Sequence, residues 1–300
     1  MHENLGSNMK QLGPILTFEQ KMAKLRACGD EARKRSEQQA AAAQVEKAER
    51  QHRMIVQLPL WADEIRAQPN EACRAALFTV RRARKRKNFL DEQIFVLGGG
   101  SISYTGFELR AENDELVWLQ ILHYAKMLPL GRWVEFTPYQ ICQDIGWTPS
   151  GPNYKLIREC LLRLKATALT IESKRLKGGL ALSLIGDFLW RGEDGKPRTK
   201  YAVQVPTEVR EWFGEDNFTR LNWEIYRTLP PVERRLYDYV ASHREPYALK
   251  AETIYELCGS DAKSLVIFRK ILRRAVKSLD QRGLLKKVDI TFAGLVKFTR

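Results

Sequence analysis

Residues 263–283 read KSLVIFRKILRRAVKSLDQRG, and the spacing of apolar and basic positions in this stretch decides the fold. At about 100° per residue, Leu265, Phe268, Leu272, Ala275, Val276 and Leu279 share one stripe, which predicts a helix from Lys263 to Arg282 with that stripe buried. Lys263, Lys270, Arg274 and Lys277 lie opposite, with Arg273 at the margin. Gly283 stops the helix. Upstream, Lys250 to Cys258 predicts a short helix ended by Gly259, and Pro230-Pro231 opens an earlier one carrying Val232, Leu236, Tyr239 and Val240. Downstream, Leu285 to Thr291 and Leu295 to Thr299 predict two strands turning at Ala293-Gly294.

The same order occurs once before. Asp114 to Met127 carries Leu116, Leu119, Ile121, Leu122 and Tyr124 near helical spacing, and Thr137-Pro138 caps and opens a short helix that closes at Gly146. A longer helix is predicted from Tyr154 to Ala168, with Leu156, Cys160, Leu161 and Leu164 on one side. Two strands follow, Leu169 to Lys174 and Leu180 to Ile185, joined around Lys177-Gly178-Gly179. Cys142 and Cys258 fall at corresponding places in the two short helices, as an internal duplication would have it. Helix, short helix, long helix, hairpin is the order of a winged helix-turn-helix, although three-helix bundles with appended hairpins would give the same pattern. The predicted fold class is therefore α+β and helix-rich: two tandem winged-helix domains at 91–210 and 211–300, behind a helical or disordered arm at 1–55. Residues 56–90 hold an apolar peptide, an amphipathic segment and a basic linker.

Charge points to a polyanionic partner. The 300 residues carry 50 Lys+Arg against 36 Asp+Glu, a net charge of +14 that a nucleic acid or an anionic membrane surface would match. Its distribution is uneven: Arg81, Arg82, Arg84, Lys85, Arg86 and Lys87 form an acid-free run, where mutual repulsion disfavours compact structure unless an anion is near. The compact part of the chain is expected to begin after that run. The long helix of the second copy adds Lys263, Lys270, Arg273, Arg274 and Lys277, and its hairpin adds Lys286 and Lys287. In a helix-turn-helix such a face enters the major groove, where Lys and Arg donate to guanine O6 and N7 or to phosphates. A solvated charged face is the plainer alternative. The first copy offers a sparser set: Lys155, Arg158, Arg163 and Lys165 on the helix, and Lys174, Arg175 and Lys177 on the expected wing.

Several chemistries are missing. Gly98-Gly99-Gly100 precedes Ser101-Ile102-Ser103 without the lysine of a phosphate loop, so it reads as a strand turn. The four histidines, His2, His52, His123 and His243, are isolated, leaving no metal cluster and no paired-histidine nicking site. His243-Arg244 with Tyr247 is read as a cap of the next element in preference to a DNA-breaking site. Asp114 and Glu115 sit where they complement a helix dipole. The five cysteines, an odd number without a Cys-x-x-Cys pair, read as free thiols of a reducing compartment such as the cytoplasm. No catalytic residue and no cofactor are predicted.

These residues resemble the TrfA-type initiators of plasmid replication. The resemblance rests on Gln68-Pro69-Asn70, Ala75 to Thr79, Ile102 to Ala111, Asp114 to Trp118, Tyr139 to Trp147 and Ser242 to Tyr247, in the same order across 55–300. It implies two winged-helix domains that bind tandem direct repeats (iterons) at a plasmid origin, opening of an AT-rich region, and recruitment of the host initiator DnaA, the replicative helicase and the sliding clamp. It also implies a monomer–dimer balance and no enzymatic activity. Gln57-Leu58-Pro59-Leu60-Trp61 looks like a sliding-clamp-binding peptide, in which Gln57 anchors the backbone while Leu58, Leu60 and Trp61 fill an apolar groove. Packing of the same residues onto the first domain is the alternative. A transcriptional repressor and a tyrosine-dependent nicking or strand-transfer enzyme are the rival functions.

Overall fold

A computed structural model describes residues 17, 19, 29, 31–39 and 56–300, apart from 177, 193, 196, 291–293 and 300; the side chains of 197, 286–290 and 299 also lie outside it. The chain forms two compact units, 1–53 and 54–300. In the first, residues 31–39 are a helix, α1, with exposed i,i+4 ion pairs between Arg33 and Glu37 and between Arg35 and Glu31.

The second unit opens with β1 (Ile65–Pro69), α2 (Asn70–Cys73), β2 (Phe78–Thr79), β3 (Asn88–Ile94), β4 (Ser101–Phe107) and β5 (Leu109–Arg110). The first repeat follows: α3 (Asp114–Ala125), β6 (Trp133–Phe136), α4 (Pro138–Ile145), α5 (Gly151–Lys165), β7 (Ala168–Ser173), β8 (Gly178–Leu182), β9 (Phe188–Arg191) and β10 (Pro197–Gln204). A connecting segment holds α6 (Glu208–Phe213), β11 (Phe218–Asn222) and α7 (Trp223–Tyr226). The second repeat is α8 (Pro231–Ala241), β12 (Leu249–Lys250), α9 (Ala251–Leu257), α10 (Leu265–Gln281), β13 (Lys286–Ile290) and β14 (Leu295–Thr299).

The topology repeats an order of elements, though not with the hairpin expected for the first copy. In each copy a helix is followed by a short strand and two helices, and the short strand pairs with the second strand of a later hairpin, which in the first copy comes only after β7 and β8. The sheet orders are β6-β10-β9 and β12-β14-β13. Local signals set the helix ends. The Thr137 hydroxyl accepts from the Gln140 amide at 3.0 Å, Pro138 fills the first turn, and Gly146 turns left-handed at φ 79° to end α4. The left-handed conformation selects glycine there, and a Cβ would in addition press on the Arg227 guanidinium at 3.0 Å. Ser264 caps α10 through the Ile267 amide.

Three expectations are corrected. The hairpin at 169–185 is not the one that completes the first repeat. β7 and β8 join β3 and β4 in a four-stranded sheet, whereas β10 of the following hairpin pairs with β6. The run 81–87 is not an open linker, and the compact part begins near residue 56. The missing anions are supplied internally: Glu108 meets Arg81 at 3.2 Å, Asp114 meets Arg86 at 2.7 Å, and the Asp261 carboxylate accepts the Arg82 and Ala83 amides. Cys142 and Cys258 are not equivalent, since Cys142 lies in the middle of α4 while Cys258 directly precedes the closing Gly259. Asp114 and Glu115 occupy the first turn of α3 as expected, and they are in addition fully buried ion-pair partners.

The most deeply buried charge joins the two repeats. Arg235 on α8 has no exposed surface; its Nη1 donates to Glu115 Oε1 of α3 at 3.1 Å and to Asp238 Oδ2 at 2.7 Å. Its Nη2 donates to the carbonyls of Ala72, Cys73 and Ala75 at 2.7–3.2 Å. Asp238 Oδ1 accepts from Gln68 Nε2 and the Tyr226 hydroxyl, each at 2.9 Å. Burial pushes the Asp238 and Glu115 carboxyls upward, and the Glu115 charge raises Asp238 further, against the pull of Arg235 on both. Replacing a buried partner leaves unpaired charge, at a cost of about 3–5 kcal/mol. Arg235→Met is therefore expected to lower unfolding free energy by about that amount in urea titration, while Arg82→Met, whose side chain is exposed, stays within about 0.5 kcal/mol of the parent.

Candidate nucleic-acid interface

α10 separates its faces as its period requires. Phe268, Leu272, Ala275, Val276 and Leu279 are buried against the second repeat, with Leu265 half-buried at the entry. Lys263, just before the helix, and Lys270, Arg273, Arg274 and Lys277 on it are exposed, and among the described residues none of the five forms an ion pair. Arg269, between the faces, is held by Glu252 of α9 at 2.8 Å. Such an arc of unneutralised cations on a rigid helix attracts a polyanion and positions it by charge. Asp280 and Gln281 end the arc near the C-terminus.

The first repeat distributes its bases differently. Lys155 is exposed on α5 and lies 3.9 Å from Glu159, and Arg158 is half-buried. Arg163 turns inward: its Nη2 lies 2.8 Å from Asp114, beside the Cys160 sulfur, and it serves the core. Lys165 is tied to Asp187 at 2.6 Å. Lys174 is exposed, whereas Arg175 is fastened to Glu71 at 3.1 Å and to the carbonyls of Glu211 and Trp212. Lys177 lies outside the described residues, as do the side chains of Lys286 and Lys287. In the 81–87 run, Arg82, Arg84, Lys85 and Lys87 are exposed, while Arg81 and Arg86 are spent on internal carboxylates.

Sequence reasoning missed two features. The hairpin that pairs with β6 carries Arg191 exposed, and Arg198 and Lys200 within 3.6 and 3.9 Å of Glu135. Its signal was the alternating Trp-Val-Glu-Phe of β6, exposed and buried by turns. On α10, Val266 and Ile267 are exposed among the cations, and helical periodicity already assigned them to that side.

The remaining candidates pack inward. Leu58 and Trp61 are buried, Trp61 stacks on Phe213 at 6.1 Å, and its Nε1 donates to His123 Nδ1 at 3.2 Å. Gln57 Nε2 donates to the Lys126 carbonyl, and Leu60 alone of the apolar three is open, at 63% exposure. Burial, with Arg66 and Lys126 nearby, pushes the His123 imidazole down to about 4. His243 and Tyr247 close the end of α8: His243 Nδ1 lies 2.7 Å from the Tyr239 carbonyl, and the Tyr239 hydroxyl donates to the Tyr247 carbonyl at 2.6 Å. Gly98-Gly99-Gly100 turns β3 into β4. Cys73, Cys142, Cys160 and Cys258 are free and buried. Among the described residues, no group of three or more His, Cys, Asp or Glu side chains could hold a metal, and no helix is long and apolar enough to cross a membrane.

Comparison with known proteins adds the lineage. A crystal structure of domains 2 and 3 of RctB superposes with a TM-score of 0.52 at 13% identity, covering 77% of this chain and 96% of that one, which is a likeness of fold. The plasmid replication initiator protein TrfA of Escherichia coli is 41% identical over 228 residues, 75% of this chain. The match spans 59% of that relative's length. The family described as TrfA protein matches residues 23–298, and with the cationic helix and the repeated topology in place, the chain belongs to the TrfA family.

Proposed function

We propose that the chain initiates plasmid replication by binding tandem direct repeats at the origin as duplex DNA, through two winged-helix modules. In this reading α4–α5 and α9–α10 are the helix-turn-helix units, and β9–β10 and β13–β14 are the wings. The partition at 91–210 and 211–300 is then functional, with one reading helix on each side. Binding favours opening of an adjacent AT-rich region, where host initiator DnaA and the replicative helicase assemble. The protein acts by binding and deforming DNA, without a chemical step. The observation that carries the proposal is the exposed arc of Lys263, Lys270, Arg273, Arg274 and Lys277 opposite the buried stripe of α10. The family's plasmid-initiator relative supports the choice of DNA.

Because α10 packs through its other face, Lys270→Ala with Arg274→Ala is expected to weaken binding to the repeats beside the gene at least tenfold, with the unfolding midpoint unchanged. Wild-type affinity in that variant would refute the assignment. With roughly 6–10 phosphates neutralised, affinity falls by about 10³–10⁵ between 50 and 200 mM salt. Arg163→Ala should instead lower the unfolding midpoint, because it strips Asp114 of a buried partner.

A sliding clamp is the proposed partner of Gln57, Leu58, Leu60 and Trp61. Capture then requires 56–61 to leave the body, since Leu58 and Trp61 cannot fill two grooves at once. The folded imidazole of His123 is held near 4, below its ordinary value of 6.5, so the detached state binds the extra proton in the interval between them. Attachment is complete above about pH 6.5 and weakens as pH falls toward 4. Hydrogen exchange across 56–61, corrected for intrinsic rates, should be faster at pH 5 than at pH 7, and His123→Gln should flatten the difference. Equal protection at both values would contradict this account.

A further inference from the structure

Val266 and Ile267 have no structural reason to be where they are. They are 63% and 43% exposed, in the second and third positions of α10 behind the Ser264 cap. The helix already buries a full apolar stripe, so these two side chains add nothing to its packing. Both are β-branched and lose rotamer freedom in a helix, which makes them poor fillers of a solvent face. On the helical wheel, Arg273, Lys277, Lys270 and Lys263 all fall within about 60° of Val266, and Ile267 lies at the edge of that arc. Any polyanion held by the four cations therefore covers Val266.

We propose that Val266 is a specificity-determining residue that packs its isopropyl group on the 5-methyl of a thymine in the major groove, with Ile267 closing the contact from the side. This deepens the DNA-binding reading above and rests on it. The occupant follows from the chemistry of the face. The cations require a polyanion, the isopropyl group requires an apolar atom on the polyanion's reading surface, and in duplex DNA the major groove offers one at thymine alone. The position agrees, since the N-terminal turns of a recognition helix reach base edges first. The first turn carries no acidic residue to repel the strand. Valine is short, so the contact demands close approach, and that makes it selective against cytosine, whose edge at this place bears only hydrogen.

The test uses the full chain and a duplex that it selects from a randomised pool. Each thymine of that duplex is replaced in turn by deoxyuracil, which keeps the pairing and the O4 acceptor and removes only the methyl group. For the unaltered protein, one or two replacements should weaken binding about three- to tenfold, the size expected for losing one buried methyl contact. Val266→Ala should bind the thymine duplex more weakly by a similar factor, lose its sensitivity at that position, and retain the parent unfolding midpoint. Ile267→Ala should show a smaller loss at the same position. Equal uracil sensitivity in the parent and in Val266→Ala, or a parent indifferent to every replacement, would overturn the assignment. If Lys270→Ala with Arg274→Ala still weakens binding at least tenfold in that case, DNA reading by α10 stands and only the methyl contact falls. Failure of the full chain to enrich any duplex would sink both.

Discussion

One guanidinium organises this molecule. Arg235 has no contact with solvent, and its hydrogen bonds end on three pieces of chain: α3 through Glu115, its own helix through Asp238, and the three carbonyls after β1, the first and last lying more than a hundred residues away in sequence. Asp238 extends the network to Gln68 and Tyr226. A buried ion cluster of this kind contributes little net stability compared with apolar packing, because desolvation offsets the attraction. Its effect is on geometry. The ion pairs and hydrogen bonds of Arg235, Glu115, Asp238, Gln68 and Tyr226 form only when α3, α8, β1 and α7 meet in one arrangement, so misdocked alternatives strand a charge in the interior. The first helices of the two repeats are thereby joined, and Arg234 adds a bond to the Ala111 carbonyl ahead of α3.

That constraint sorts the basic residues of the chain. Where a carboxylate is enclosed, a cation is drawn in to meet it: Arg86 and Arg163 converge on Asp114, Arg81 and Arg110 on Glu108. These positive charges answer internal acids and are lost to any outside partner. What remains exposed, on α10 and in part of the 81–87 run, is the charge available to DNA in the proposed complex. The net charge of +14 is therefore a poor guide to the number of phosphates contacted. The exposed arc on a single helix is a better one.

The sequence made the local rules readable and hid the long-range ones. The buried stripe of α10, the Thr137 cap and the Gly146 stop follow from a 3.6-residue period and from backbone chemistry within a few residues, and all three stand in the structure. The inward course of Arg163 was not legible, because its partner is 49 residues away and nothing beside it on the helix marks it as different from Lys155. Asp114 and Glu115 have the look of first-turn acids for the same reason. The hairpin that joins β6 was not the one expected, because two hairpins follow α5 in succession and both carry ordinary turn signals. Only the pairing of β10 with the four-residue strand β6, more than sixty positions earlier, decides between them. The clamp-like peptide was legible as a motif but not as a packed segment, since stacking on Phe213 is a contact across the fold.

The central claim is that the buried cluster presents α5 and α10 to one duplex in a single fixed arrangement. The most direct measurement attaches a DNA-cleaving iron chelate to a cysteine placed at Lys155→Cys in one protein and at Lys277→Cys in another, and maps strand breaks on the origin repeat. The described native cysteines are buried, which directs the reagent to the new site once Cys28 is replaced by serine. The account predicts a narrow cluster of breaks from each position, at a constant separation on every repeat. Breaks from Lys155→Cys that scatter along the DNA while those from Lys277→Cys stay sharp would show that the repeats move independently, and would contradict it.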